Sequence, residues 1–283
     1  MMNKLRGLIK LIRFELPFSA GVCVVMGQML ALGEIASIPV MLFGFASVFL
    51  ISASILVLND CFDVETDKIN APSRPIPSGL VSPTEALFFS LILLSIGLLL
   101  SYIINITVLL ITIMLAIVGF LYNRYFKKSG LPGNLMVSFS VGMTFIYGGA
   151  SVGLLFHKMA LYFGLIAALI DLGEEIAADA MDTKGDRLIN SNSLAIKFGE
   201  SAAIKISVAI FFFVILLSFI PFILNWFSVI YMIPIGIMDI SITYPAFLLL
   251  KSKNEEGRRF IRWIYLGAIS GIIVFIVMRL VGI

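Results

Sequence analysis

Nine long apolar runs constrain the fold of this chain more than any other feature of its sequence. They occupy residues 16–33, 38–58, 84–104, 106–122, 134–156, 159–176, 202–220, 227–250 and 260–281. Each run is close to the roughly 20 residues that a helix needs to cross about 30 Å of hydrocarbon. Because 60% of the residues are hydrophobic and only 13% are charged, a water-soluble globular fold is excluded. The sequence therefore predicts an all-α integral membrane protein, with nine transmembrane helices bundled in one domain over residues 1–283.

The lysines and arginines indicate which side of the membrane each connection faces. If the N-terminus is cytoplasmic, 18 of the 20 Lys and Arg residues fall in cytoplasmic segments or at the adjoining helix ends. Only Lys158 and Arg279 lie near the other face. This excess is the positive-inside pattern of membrane proteins. We therefore expect a multi-pass protein of the cell membrane whose basic residues 1–15 form a surface helix in contact with membrane lipids.

Two acidic clusters follow the second and the sixth of these runs, both on the predicted cytoplasmic side. The first contains three aspartates at i, i+3 and i+7: Asp60, Asp63 and Asp67. The second has the same spacing 119 residues later: Asp179, Asp182 and Asp186. On a helix this spacing places three carboxylates within about 60° of one another. Because repulsion and desolvation penalise such clusters unless a cation lies between them, we predict that both bind a divalent metal.

The ligand type suggests what two such clusters would do. Mg²⁺ prefers hard oxygen ligands and commonly bridges a few carboxylates to substrate phosphates, so two facing clusters would hold a diphosphate. Neutralising the charge on a leaving diphosphate is a large catalytic effect. The apolar helices would surround a central cavity for a hydrocarbon tail, and the polar loops after the second and sixth helices would form a cytoplasmic cap. Ser82 and Glu85 form a predicted capping box at the start of the third span.

Two stretches resemble the signatures of the UbiA superfamily of intramembrane prenyltransferases. The first reads Asn59-Asp60-x-x-Asp63-x-x-x-Asp67, followed by Arg74-Pro75-Ile76-Pro77-Ser78-Gly79. The second reads Glu175-x-x-x-Asp179-x-x-Asp182-x-x-Gly185-Asp186. The resemblance covers the whole chain and favours the archaeal lipid branch. It implies that a geranylgeranyl group passes from geranylgeranyl diphosphate to the free glycerol hydroxyl of geranylgeranylglyceryl phosphate, in archaeal ether-lipid biosynthesis.

The resemblance also implies a role for individual residues. The Mg²⁺ ligands and their supporting acids would be Asn59, Asp60, Asp63, Asp67, Glu175, Asp179, Asp182 and Asp186. Arg74 would bind the diphosphate, because a guanidinium fork suits phosphate oxygens, and Tyr122 would lie near the diphosphate or the allylic carbon. With Asp63, Asp67, Asp182 and Asp186, these two residues make up the expected catalytic set. Further substrate contacts would come from Asn59, Arg13, Lys127, Lys184 and Arg187.

Two other functions stay open at this point. A prenyltransferase that acts on an aromatic or tetrapyrrole acceptor would share the diphosphate site and differ only in the acceptor pocket. A cation-coupled transporter would use the carboxylates as a cation site, but its acids are expected near the midplane of the membrane. The only histidine, His157, is predicted at the opposite face, so a carboxylate or the diphosphate is the expected base. No nucleic-acid partner is expected.

Overall fold

The computed structural model describes residues 2–183, 187, 190–252 and 254–282, and within those residues all regular structure is helical. The chain divides into two compact units. Unit 1 contains Met1–Leu32, Ala36–Tyr125 and Thr144–Ala160, and unit 2 contains Gly33–Ile35, Phe126–Met143 and Leu161–Ile283. The prediction of one domain over the whole chain is not tested by this division, so the units are described separately.

Unit 1 is built around one long helix. Its helices are α1 (Met2–Leu11), α2 (Glu15–Leu32), α3 (Ile38–Phe62), α4 (Val64–Asn70), α5 (Pro83–Ile104) and α6 (Ile106–Leu121). A π-helical turn, Tyr122–Phe126, continues α6. Helix α3 packs against α2, α5 and α6, which makes it the centre of the unit.

Helices α7 (Leu131–Ser151) and α8 (Lys158–Met181) contribute residues to both units. The rest of unit 2 contains α9 (Leu194–Phe198), α10 (Glu200–Ser218), α11 (Ile220–Ile223), a 3₁₀ turn (Val229–Tyr231), α12 (Met232–Leu249) and α13 (Asn254–Leu280). Helix α12 packs against both α10 and α13.

Seven helical segments among the described residues are long and apolar enough to cross a membrane, so the chain is a multi-pass membrane protein. They are Glu15–Leu32, Ile38–Phe62, Pro83–Ile104, Ile106–Phe126, Glu200–Ile223, Val229–Leu249 and Glu256–Leu280. The other two predicted runs form α7 and α8. Small and polar residues in α7 and four acids in α8 lower their hydropathy, and the count of nine spans stays a prediction.

The start of α5 confirms the predicted capping box. The Ser82 side chain accepts a hydrogen bond from the backbone N–H of Glu85, and the Glu85 carboxylate accepts one from the backbone N–H of Ser82. These bonds satisfy two donors that the first turn of a helix otherwise leaves unpaired. Lys4 of α1 also lies 2.7 Å from Glu85, so an exposed ion pair links α1 to the start of α5.

The proline-rich loop after α4 belongs to the core of unit 1. Ile76 and Val81 are buried in a cluster that includes Leu11, Val57 and Leu93. The backbone of the loop is also hydrogen bonded to itself, from the N–H of Val81 to the carbonyl of Pro75 over 3.0 Å, and through three similar bonds. Buried apolar side chains and satisfied backbone groups together hold the loop in one conformation.

The spacing of the first acidic cluster predicted that it lies on one uninterrupted helix, and this prediction is wrong. Helix α3 ends at Phe62 and α4 begins at Val64, with Asp63 at the junction. Asp63 has φ −91° and ψ 4°, which departs from helical geometry. The backbone N–H of Asp63 donates to the carbonyl of Asn59, and that of Asp67 to the carbonyl of Asp63, so two helical hydrogen bonds span the bend.

Candidate active site

Two arginines contact the buried acids of the first cluster. The Asp60 side chain is 3% exposed and forms an ion pair with Arg13. Arg74 Nη1 lies 2.6 Å from Asp67 Oδ2 and 3.7 Å from Asp60 Oδ1. Arg13 is in position because it occupies the break between α1 and α2 with a φ of 50°, a conformation that non-glycine residues rarely adopt. Arg13 and Arg74, two of the five predicted substrate-binding cations, thus lie at the first acidic cluster.

Asn59 is held by a residue that the sequence analysis did not single out. Its Nδ2 donates to Oδ1 of Asn123 over 2.7 Å. Asn123 lies in the π-helical turn and is 7% exposed, and its Nδ2 donates to the carbonyl of Ile55 over 3.3 Å. The sequence signal for Asn123 was its position in a short polar stretch directly after an apolar run. That signal did not indicate which motif the side-chain amide would contact.

The remaining predicted residues of this region lie in and after the same turn. Tyr122 is the first residue of the π-helical turn and is half-buried. Turns of this kind inside α-helices are frequent at functional sites. Lys127, in unit 2, is also half-buried, and its positive charge interacts favourably with the carboxylate of Glu175.

Neutral side chains of α7 hold the acids of α8 in unit 2. Asn134 Nδ2 donates to Asp179 Oδ2 over 2.9 Å. One turn further along α7, Ser138 Oγ donates to Asp171 Oδ2 over 2.8 Å. Asn134 and Ser138 are both buried, and neither was predicted, because a serine or asparagine in an apolar run is common in packed membrane helices.

The second motif is described only in part. Glu175 and Asp179 lie on α8, and Asp182 follows its last residue and forms an ion pair with Arg258. Both side chains of that pair are about half exposed. Arg187 is exposed, whereas the predicted residues Lys184 and Asp186 lie outside the described residues.

Oxygen ligands for a magnesium ion are available, but not as a preformed cage. No group of three or more His, Cys, Asp or Glu side chains in the described part of the chain is arranged to hold a metal ion. Mg²⁺ usually keeps several waters and takes only one or two carboxylates together with substrate phosphates. The donor set of the first cluster, two half-buried side chains (Asn59 and Asp63) and a buried carboxylate (Asp67), fits that mode of binding.

Comparison with known proteins gives consistent matches over nearly the whole chain. A family model described as the UbiA prenyltransferase family matches residues 20–269. A digeranylgeranylglyceryl phosphate synthase from Methanocaldococcus jannaschii is 36% identical over 255 residues, which cover 90% of this chain and 89% of that protein.

Solved structures agree with these sequence matches. A structure described as a digeranylgeranylglyceryl phosphate synthase in membranes has a TM-score of 0.77 and 33% identity, and the match covers 98% of each chain. A UbiA homolog from Archaeoglobus fulgidus, solved with GPP and Mg²⁺, has a TM-score of 0.67 and 16% identity, with 95% of this chain and 99% of that one covered. At 16% identity the second likeness concerns the fold alone.

Proposed function

This chain belongs to the UbiA prenyltransferase family, and from that membership we propose that it transfers a geranylgeranyl group from geranylgeranyl diphosphate to the free glycerol hydroxyl of geranylgeranylglyceryl phosphate. Diphosphate would be released, and the product would be an archaeal ether-lipid precursor. The observation that carries the proposal is 36% identity, over 90% of the chain, to a digeranylgeranylglyceryl phosphate synthase.

The proposed metal ligands come from both acidic motifs. In unit 1 they are Asn59, Asp63 and Asp67, with Asp60 in support, and in unit 2 they are Asp182 and Asp186, supported by Glu175 and Asp179. Bound Mg²⁺ would supply positive charge to the diphosphate as it leaves. The hard oxygen donors of unit 1 and the Mg²⁺ seen in a family member of the same fold support this assignment.

Arg74 would bind the diphosphate by exchanging one anionic partner for another. Its guanidinium donates to Asp67 over 2.6 Å, and a diphosphate oxygen offers the same kind of acceptor with more charge. Movement of Arg74 to the substrate would free an Asp67 oxygen for metal binding. Arg13, which pairs with buried Asp60, would keep that carboxylate compensated during the exchange.

The reaction would begin with ionisation of the allylic C–O bond. The electron pair of that bond leaves with the diphosphate, and the allylic carbocation is then captured by the glycerol hydroxyl, whose proton passes to a carboxylate or to the diphosphate. Aromatic faces stabilise such a cation by about 1–2 kcal/mol when water is excluded. We assign Tyr122, half-buried at the start of the π-helical turn, to contact with the diphosphate or the allylic carbon.

We further propose a topology of nine spans in a single domain over residues 1–283. Helices α7 and α8 would cross the membrane in addition to the seven apolar segments. The Asn134 amide and the Ser138 hydroxyl of α7 donate hydrogen bonds to acids of α8, which lowers the cost of placing those acids in the membrane. The N-terminus and the loops after the second and sixth spans would be cytoplasmic, since these segments, residues 122–133 and 251–259, and the adjoining helix ends together carry 18 of the 20 Lys and Arg residues.

A defined reaction tests this function. Purified protein in lipid nanodiscs receives labelled geranylgeranyl diphosphate, Mg²⁺ and one acceptor at a time. We expect a labelled ether product with geranylgeranylglyceryl phosphate, and none after the metal is removed with EDTA. Product formed only with an aromatic or tetrapyrrole acceptor would reject the proposed acceptor. Failure to release diphosphate with any acceptor would reject transferase activity and favour transport.

A further inference from the structure

We propose that Asn123 is a positioning residue that fixes the side-chain amide of Asn59, so that its nitrogen faces Asn123 and its oxygen is the end turned towards a metal ion. The inference rests on the proposed function, because Asn59 is a candidate ligand only if the first motif binds Mg²⁺. It adds a residue outside both acidic motifs to the machinery that prepares the site.

A chain of three groups determines how both amides are turned. A backbone carbonyl only accepts hydrogen bonds, so the carbonyl of Ile55 must receive the Nδ2 end of Asn123, over 3.3 Å. The Oδ1 end of Asn123 then accepts from the Nδ2 end of Asn59 over 2.7 Å. With its nitrogen committed to Asn123, Asn59 presents Oδ1, the only side-chain atom that can bind Mg²⁺, in a different direction.

The packing of α6 on α3 brings these groups together. Gly119 of α6 packs on the side chain of Ile55, where a β-carbon would lie 2.6 Å from Ile55 Cδ1. Asn123 follows Gly119 by four residues, and Asn59 follows Ile55 by four. Because Gly119 has no side chain, α6 and α3 can approach closely at Gly119 and Ile55. One turn further along each helix, the amides of Asn123 and Asn59 are then in contact.

The π-helical turn directs Asn123 inward. Asn123 is buried, whereas Arg124 and Tyr125, which follow it in the turn, are both exposed. Arg124 stacks on Tyr125, with its guanidinium carbon 5.3 Å from the ring centre. The turn thus separates one buried amide from two exposed side chains, and the amide is the group that reaches the first motif.

Metal affinity distinguishes positioning from simple packing. We would titrate Mn²⁺, a paramagnetic substitute for Mg²⁺, into protein containing geranylgeranyl diphosphate but no acceptor, and follow free Mn²⁺ by electron paramagnetic resonance. Loss of a residue that orients a metal ligand typically weakens metal binding by about 10- to 100-fold. We expect that loss in Asn123→Ala, and in Asn123→Ser, which serves if the alanine variant does not fold.

Asn105 provides a matched control in the same unit. Its amide also makes two hydrogen bonds, to the carbonyl of Ala150 and from the N–H of Val108, but it lies at the opposite end of α6. Asn105→Ala should lower the unfolding temperature and leave the Mn²⁺ affinity within about twofold of wild type, since the variant removes packing and capping without touching a candidate ligand.

A double-mutant cycle tests the route of the effect. In Asn59→Asp the ligand has two equivalent oxygens, so its orientation no longer needs fixing. In that background Asn123→Ala should change the Mn²⁺ affinity by less than about threefold. The smaller effect than in the wild-type background would show that the two positions are coupled.

Each result decides between definite alternatives. Wild-type affinity in folded Asn123→Ala, equal weakening in Asn105→Ala, or additive effects in the cycle would overturn the positioning role. Absence of diphosphate-dependent Mn²⁺ binding in the wild-type protein would instead overturn the proposed function on which the inference rests.

Discussion

The two acidic clusters are stabilised by different kinds of partner. In unit 1, Asp60 and Asp67 contact the guanidinium groups of Arg13 and Arg74. In unit 2, Asp179 accepts from a neutral amide of α7, and Asp171, about two turns earlier on α8, accepts from a neutral hydroxyl. The partners of Asp60 and Asp67 are therefore cationic, whereas the hydrogen-bond donors to Asp171 and Asp179 are neutral.

This difference predicts two ways of responding to a bound cation. A cation that binds Asp60 or Asp67 in unit 1 must displace a guanidinium group. Breaking that ion pair lowers the net free energy of cation binding. In unit 2 the buried Oε1 of Glu174 accepts no hydrogen bond from the described residues, and the positive charges near the acids include half-buried Lys127, which interacts with Glu175, and Arg258, in its half-exposed pair with Asp182. Surface pairs of that kind contribute little, so a cation should stabilise unit 2 more than unit 1.

The largest expected effect comes from a candidate ligand of the first cluster. We expect Asp63→Ala to lower the rate of diphosphate release by more than about 100-fold, beyond the effect of losing an outer partner of a metal. The protein should stay folded, because Asp63 is half-buried at a helix junction. Release measured at saturating Mg²⁺ checks this, and activity within tenfold of wild type would remove Asp63 from the catalytic set.

Arg74 tests whether a guanidinium, and not any cation, is required. Arg74→Lys keeps the charge but loses the fork that binds two oxygens, and we expect kcat/KM for the prenyl diphosphate to fall about 10- to 100-fold. Arg124→Ala is the matched control, since that arginine is exposed and contacts Tyr125 instead of an acid. Equal losses in the two variants would contradict a specific role for the guanidinium of Arg74.

Removing a charged partner should destabilise the protein more than removing a neutral one. Arg13→Ala leaves the buried carboxylate of Asp60 with Arg74 alone, at 3.7 Å, and we expect a loss of about 2 kcal/mol in unfolding free energy. The double variant with Asp60→Asn should recover much of that loss, because the buried charge is then absent. Chemical unfolding in mixed micelles without substrate measures both, and additive losses would contradict the ion-pair explanation.

The neutral partners of α8 should contribute less. We expect Ser138→Ala to cost about 1 kcal/mol, because it leaves Asp171 without its hydroxyl donor. Ser140→Ala is the control, since the Ser140 hydroxyl donates only to the carbonyl of Met136 in its own helix, and it should cost less than about 0.5 kcal/mol. If Ser138→Ala costs more than Arg13→Ala, the comparison between the clusters fails.

The smallest effect is expected for the only histidine. His157 lies in the connection between α7 and α8, which is predicted at the membrane face opposite the acidic motifs. His157→Ala should leave turnover within about twofold of wild type, because a base there is remote from the acceptor hydroxyl. A folded variant with turnover reduced 100-fold would contradict the proposed topology.

The sequence predicted most of the helices, but few of the contacts around the candidate site. Apolar runs and the Ser82–Glu85 capping box depend on residues close in sequence, so their patterns predicted the spans and the start of α5. The partners of the acidic motifs depend on packing between distant segments: Asn123 is 64 residues from Asn59, and Asn134 is 45 residues from Asp179. No periodicity carries that information.

The bend at Asp63 was missed for a different reason. Carboxylates at i, i+3 and i+7 fit a straight helix, but only two helical backbone hydrogen bonds, from Asp63 to Asn59 and from Asp67 to Asp63, span the junction. A single residue with ψ near 4° is enough to end one helix and begin another. Such a local departure leaves no signature in residue spacing.

The anchored loop after α4 has a consequence for the timing of the reaction. The backbone around Arg74 is held in place by the burial of Ile76 and Val81. The guanidinium can therefore change partners by side-chain rotation, without movement of the loop. Rotation of an exposed side chain takes picoseconds to nanoseconds, whereas lids open over microseconds to milliseconds. If Arg74 binds the diphosphate as proposed, we therefore expect its change of partner to be faster than bond cleavage or the departure of a bulky lipid product.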